Sequence, residues 1–226
     1  SADHQAKLKE LRKAQQDWCR RIRDLGFLPE GEIHSRSKGS TPREMGKDDS
    51  KYPYDKIFAA ADLATMRGAD QLPAVKKLLK DSDSAVRYWG AVGILNRGAG
   101  AVKASEAELL AALQDDSSYV RIAAGYAFGK YGGQSQQRTG IDALVAVAPW
   151  KKGADIFVSI AALNALDKLD SKAGYALDTI RAFPTSGGVS PDGRYNKYVA
   201  RILGKTIQDL GGGRQSSEKK KKRKKK

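Results

Sequence analysis

Three segments of this chain align with one another without gaps, and no other feature limits its fold as strongly. They are "DSAVRYWGAVGIL" from Asp83, "SSYVRIAAGYAFG" from Ser117 and "DIFVSIAALNALD" from Asp155. Counted from Val86, Val120 and Val158, positions i, i+3, i+4, i+7 and i+8 read Val-Trp-Gly-Gly-Ile, Val-Ala-Ala-Ala-Phe and Val-Ala-Ala-Ala-Leu. That spacing is one face of an α-helix, written three times. Small residues in the middle of the face let a neighbouring helix approach closely, while bulkier ones at its ends supply packing area. Asp83, Ser117 and Asp155 each stand three residues before the valine, where a side-chain oxygen can accept a backbone N–H as N-cap. A second amphipathic run precedes each copy, at 72–79, 106–113 and 141–148. The repeating unit is helix, short turn, helix.

The valines are 34 and 38 residues apart, between the periods of two-helix repeats of the TPR type (about 34) and the HEAT type (about 40). The TPR tryptophan-to-tyrosine spacing is missing, and an aspartate-rich turn is followed by Val-Arg at 86–87 and 120–121. The chain therefore resembles HEAT-like repeats of the bacterial type. Segments 54–66, 173–183 and 195–207 read as divergent or capping copies, which predicts four to five helix pairs. The expected fold is all-α: a right-handed α-solenoid of HEAT-like helix pairs over 54–210, preceded by an amphipathic helix and extended connector at 1–53. A disordered Lys/Arg-rich tail is expected at 211–226. Arg87 and Arg121 follow the stripe valines, placed either to bridge to turn aspartates of a neighbouring repeat or to contact a polyanion. The third copy has Ser159 there.

In the N-terminal region Leu8, Leu11, Ala14, Gln15, Trp18, Ile22 and Leu25 fall near helical spacing. Gly26 reads as the helix C-cap, with Pro29 beyond it. The polar stretch that follows reads as a connector running over a neighbouring surface, and within it Thr41, Pro42 and Glu44 predict a single helical turn.

Charge and chemistry narrow the function classes. The net charge is +15, but residues 219–226, "KKKKRKKK", supply eight of those charges. Residues 52–210 hold 20 Lys and Arg against 16 Asp and Glu, or +4, a near-balance that argues against nucleic acid along the repeats. Lys219, Lys220, Lys221, Lys222, Arg223, Lys224, Lys225 and Lys226 form a solvated run that would associate with any polyanion at low salt. No apolar run approaches the roughly 18 to 20 residues of a membrane span. A lone cysteine, Cys19, makes no internal disulfide and, with only His4 and His34 beside it in the sequence, no zinc site. The acidic turns at 81–83 and 115–116 lack the EF-hand pattern, and "LGKT" at 203–206 has Val199 where a phosphate loop needs glycine. Glu30, Glu32 and His34 lie on the polar connector and read as exposed residues rather than as a ligand or acid–base set. No nucleophile elbow and no Ser/His/Asp arrangement is present, so no catalytic, metal or cofactor residue is assigned.

Read as one string, "LRKAQQDWCRRIRDLGFLPEGEIHSRSKGSTPREMGKDDSKYPYDKIFAAADLA" resembles the segment that follows the catalytic domain in bacterial sulfatases of planctomycete type. There an Asp-Trp helix leads into an "IRDLGFLPE" turn and a "YP" dipeptide, and helices of the "AVRYWGAVGIL" kind come next. The resemblance covers roughly residues 8–170. It implies a parent enzyme that hydrolyses sulfate esters or sulfamates with a calcium ion and a formylglycine, made from a Cys or Ser in a Cys/Ser-x-Pro-x-Arg motif. Both cofactors are expected only in the catalytic domain, because no such motif occurs here and Cys19 is followed by "RRIR". The chain, which begins with serine, would then be the non-catalytic tail of such an enzyme, periplasmic or extracellular. Its partners would be the upstream catalytic domain, packed on Trp18, Ile22, Leu25, Phe27 and Leu28, and a protein or sulfated polysaccharide on the repeats. The competing reading is a free-standing HEAT-repeat module that holds nucleic acid or another polyanion through basic residues and the tail.

Overall fold

Side-chain oxygens start two of the three repeated helices. The Asp83 carboxylate accepts from the Ala85 N–H at 2.8 Å, and Asp155 accepts from those of Phe157 and Val158 at 2.7 and 3.4 Å. Ser117 holds the N-cap position of the middle copy without a side-chain bond to its own helix. Its hydroxyl turns instead to the Glu32 carboxylate, 3.4 Å away.

The computed structural model describes residues 2–211. Its α-helices are α1 (Gln5–Ile22), α2 (Glu30–Arg36), α3 (Pro42–Met45), α4 (Tyr54–Thr65), α5 (Leu72–Leu78), α6 (Ser84–Asn96), α7 (Ala99–Ala104), α8 (Glu106–Ala112), α9 (Ser118–Tyr131), α10 (Gln134–Val147), α11 (Ile156–Leu169), α12 (Leu177–Arg181) and α13 (Asn196–Leu210). The described chain is all-helical and forms no strand; one isolated bridge joins Asp155 to Val189. Helices α4, α6, α9, α11 and α13 lie side by side in chain order, and α5, α8, α10 and α12 pack against them.

The repeated face faces the core. Ile94, Phe128 and Leu166, the i+8 residues of the three copies, are fully buried, as are Val120, Ala124 and Ala162. Each large side chain buried in this way contributes about 1.5–3 kcal/mol relative to exposure. Small residues at i+4 and i+7 let the second layer close in: a Cβ on Gly93 would lie 2.7 Å from the Val75 side chain on α5. Gly98, at φ +81°, makes the sharp joint between α6 and α7 in a backbone region that disfavours larger residues.

The N-terminal region departs from the sequence expectation in three ways. Arg23, not Gly26, supplies the left-handed cap of α1, at φ 51°. Its guanidinium offsets that conformation by donating to the carbonyls of Gly46 and Tyr52 and pairing with Asp49. The connector is not extended throughout, because residues 30–36 form α2. Acidic Glu30 and Glu32 in its first turn and His34 and Arg36 in its last suit the helix dipole, yet seven residues are too few to hold a helix alone; docking completes it. Third, Leu28 is buried, and Leu25 and Phe27 pack against the same cluster around Tyr52, Tyr54 and Phe58. The turn predicted at Thr41 is present: the Thr41 hydroxyl accepts from the Glu44 N–H, and Glu44 accepts from that of Thr41.

Candidate functional site

Of the two turn arginines, one ties neighbouring turns together and the other braces its own. Arg87 spans to the next repeat, with Nε and Nη2 donating to Asp115 at 2.7 and 2.8 Å. Arg121 stays in its own turn, donating to the carbonyls of Asp115 and Asp116 and to Ser118. The reason is in the sequence: Asp115 stands five residues before Val120, and the matching position before Val158 is Gly153, which carries no acceptor.

Across these turns lies α2, which fastens the connector to three successive long helices. Arg36 pairs through both terminal nitrogens with Asp83, at 2.9 Å each, and with Glu32 at 2.6 Å; it also donates to the Lys51 carbonyl and the Ser84 hydroxyl. Ser84 in turn donates to Glu32 at 2.9 Å. Glu32 is buried, which corrects its reading as an exposed connector residue. Its carboxylate sits beside the starts of α6 and α9, where a negative charge is favoured. Burial alone would raise the Asp83 carboxyl, but the hydrogen bonds and charge of Arg36 hold it below the ordinary value. Gly31 rests on Tyr119 so closely that a Cβ would lie 2.0 Å from the phenol oxygen. Burial first, and then the charge of Asp155, push that phenol well above its ordinary pKa. His34 stacks on Phe157, 4.9 Å between centroids and 4° from parallel, with Glu30 3.5 Å from its Nε2. Of the connector trio, Glu30 alone is exposed.

Two of the open surfaces bear on function. On α1 the apolar stripe is exposed: Leu8 by 42%, Leu11 by 59%, Trp18 by 54% and Ile22 by 51%. The helix meets α4 through polar contacts, Arg20 to Asp55 at 3.1 Å and Gln16 to Asp62 at 3.4 Å, while buried Cys19 joins the cluster beneath. The second surface is a groove of about 480 Å³ across α6, α9 and α11. Tyr88, Val92, Ile122, Tyr126 and Ile160 line it, and apart from Ile122 these are half-exposed. They occupy the i+2 and i+6 positions of the repeat. Aligning that second face across the copies is the signal that would have revealed the groove; the i, i+4 spacing of Glu32 and Arg36 shows their own pairing, but not the clasp onto Asp83, 47 residues on.

Residues 219–226, the expected polyanion contacts, lie outside the described residues. Cys19 does not fit a formylglycine position: it lacks the flanking motif and its sulfur, buried, takes the Gln15 amide at 3.0 Å. Among the described residues no group of three or more His, Cys, Asp or Glu side chains is placed to hold a metal ion, and no helix is long and apolar enough to cross a membrane. The chain matches no known protein family and no curated protein.

Proposed function

We propose that this chain is the non-catalytic region that follows the catalytic domain of a sulfatase-like sulfuric ester hydrolase. In this reading residues 54–210 are a right-handed solenoid of HEAT-like helix pairs that serves as an interaction surface, and residues 1–53 are the joint. The observation that carries it is the stripe on α1. Its four large apolar side chains face outward on a helix whose C-terminal end is held by Cys19 and Arg23, the arrangement of a surface that another domain covers. The clasp at Arg36 makes such a joint stiff, because α1 is then coupled to three repeats rather than to one. Leu25, Phe27 and Leu28 serve the chain's own core, so the docking contacts are Trp18 and Ile22, extended by Leu8 and Leu11.

Two measurements test this. The coding sequence immediately upstream of Ser1 should encode, in frame, a domain with Cys/Ser-x-Pro-x-Arg; an initiator codon directly before Ser1 overturns the reading. In addition, Trp18→Asp should leave the melting temperature of this chain within about 2 °C of the parent, as for an exposed site. The same variant should weaken binding of the separately expressed upstream domain by about 2 kcal/mol or more, as a central aromatic contact does. Equal binding by parent and variant would remove the stripe from the joint.

A further inference from the structure

The groove across α6, α9 and α11 continues an interface the chain already makes with itself. The connector crosses the same three helices along the groove's margin, where Tyr119 and Phe157 belong to both. The Trp89 Nε1 donates to the Phe27 carbonyl at 2.8 Å, Gly31 lies on Tyr119, and His34 stacks on Phe157. This face therefore accepts a peptide running across the repeats, with a backbone carbonyl met by an indole N–H and a ring met by a ring. Pro29 and Glu30 form one margin of the open groove, so a second segment placed there would lie alongside the first.

The far margin carries charge. Lys130 and Lys168 hold the same repeat position, ten residues after Val120 and Val158, on helices whose axes pack roughly 8–10 Å apart. Both are exposed. Lys168 lines the groove itself; Lys130 lies just outside the lining, its ammonium over the ring of the lining residue Tyr126 at 5.6 Å and over Tyr131 at 5.1 Å. Between the margins the surface is mostly apolar, floored by Ala123 and Ala161, with the exposed Asn164 as its polar member.

We propose that this groove binds an extended peptide segment of a protein partner, with apolar or aromatic side chains on its floor and an acidic side chain over Lys130 and Lys168. An apolar floor with a few polar groups at the rim is the pattern of side-chain recognition. Two cations at one edge do not match a polysulfated chain, whose charges recur along its whole length. The inference deepens the interaction role given to the repeats and does not depend on the joint at α1.

The test is selection from a random dodecapeptide phage library on the full chain, with the affinities of enriched synthetic peptides then measured by fluorescence anisotropy. Enriched sequences should combine two or more large apolar residues with an Asp or Glu on one side. Lys130→Glu combined with Lys168→Glu changes only exposed side chains and should weaken those peptides at least about tenfold. Ala161→Arg, which fills the floor, should abolish binding, with circular dichroism confirming the fold. Trp18→Asp should bind them unchanged, so failure at the groove is separable from failure at the joint. Any of three results overturns the proposal: no enrichment, enriched peptides that bind both groove variants as well as the parent, or a heparin hexasaccharide that alone binds and is lost in those variants.

Discussion

Replacing Arg36 by methionine should cost about 3–5 kcal/mol of folding free energy, because it leaves the buried Glu32 and the largely buried Asp83 carboxylates without their counter-charge. For a domain of this size that is a fall of roughly 10 °C in melting temperature. Methionine keeps most of the side-chain volume, so the loss reports charge and hydrogen bonding rather than a cavity. The pH dependence carries a definite sign. In the parent the Asp83 carboxyl is held below its ordinary value by Arg36, so its contribution is present at neutral pH and is lost only as pH falls through that depressed value. Without Arg36, burial, the largest single cause, raises the carboxyl against only the backbone N–H groups of Ala85 and Val86, and the destabilisation should be greatest at neutral pH and shrink toward about pH 4 as the group takes a proton. Melting curves of parent and variant at both pH values decide the matter. A deficit below about 2 °C, or one that does not change with pH, would mean that the cluster behaves as an ordinary surface ion pair.

Gly31→Ala offers an independent way to break the same clasp. Its Cβ would lie 2.0 Å from the Tyr119 oxygen, and Tyr119, itself buried, has little room to swing aside. Either α2 lifts or the ring moves. In both variants amide exchange in α2 should speed up, while exchange in the core of α9 and α11 stays slow.

What the sequence made legible follows from where each signal lives. The helical face beginning at Val86, Val120 and Val158 is a local periodicity, and it located α6, α9 and α11 because burial of one face needs only one spacing. The capping box at Thr41 was readable for the same reason: its two bonds span three residues. Glu32 was misread because its burial comes from Ser84 and Ser117, 52 and 85 residues away. No window along the chain contains that information. The cap of α1 was misplaced because glycine is the usual residue at positive φ, whereas here the distant carbonyls of Gly46 and Tyr52 hold Arg23 there. The groove lay within reach, since its rows recur at i+2, i+6 and i+10. It stayed hidden because the i+2 and i+6 positions alternate Tyr, Val, Ile and Asn instead of keeping one residue type.

Glycine-to-alanine exchanges at two helical positions should shift stability in opposite directions. Gly204 lies on the exposed side of α13, where an added Cβ meets nothing within 4 Å; alanine there improves helix propensity and should stabilise by about 0.5–1 kcal/mol. Gly140 on α10 is the opposite case. Its Cβ would lie 2.5 Å from the Gly125 carbonyl oxygen, 2.7 Å from the Phe128 Cβ and 3.0 Å from the Gly129 nitrogen. Two of those atoms belong to the α9 backbone and cannot rotate away, so the helices must separate. Overpacking of this kind costs up to about 3 kcal/mol, and the gain of about 1 kcal/mol in helix propensity leaves a net loss near 2 kcal/mol. Thermal melts should place Gly140→Ala roughly 4–8 °C below the parent, with Gly204→Ala slightly above it. Because α10 packs on both α9 and α11, its displacement also disturbs two walls of the groove. Peptides selected on the parent should therefore bind Gly140→Ala more weakly and Gly204→Ala unchanged. If Gly140→Ala melts as high as Gly204→Ala, the close approach of α9 and α10 is not what the small residues of these helices serve.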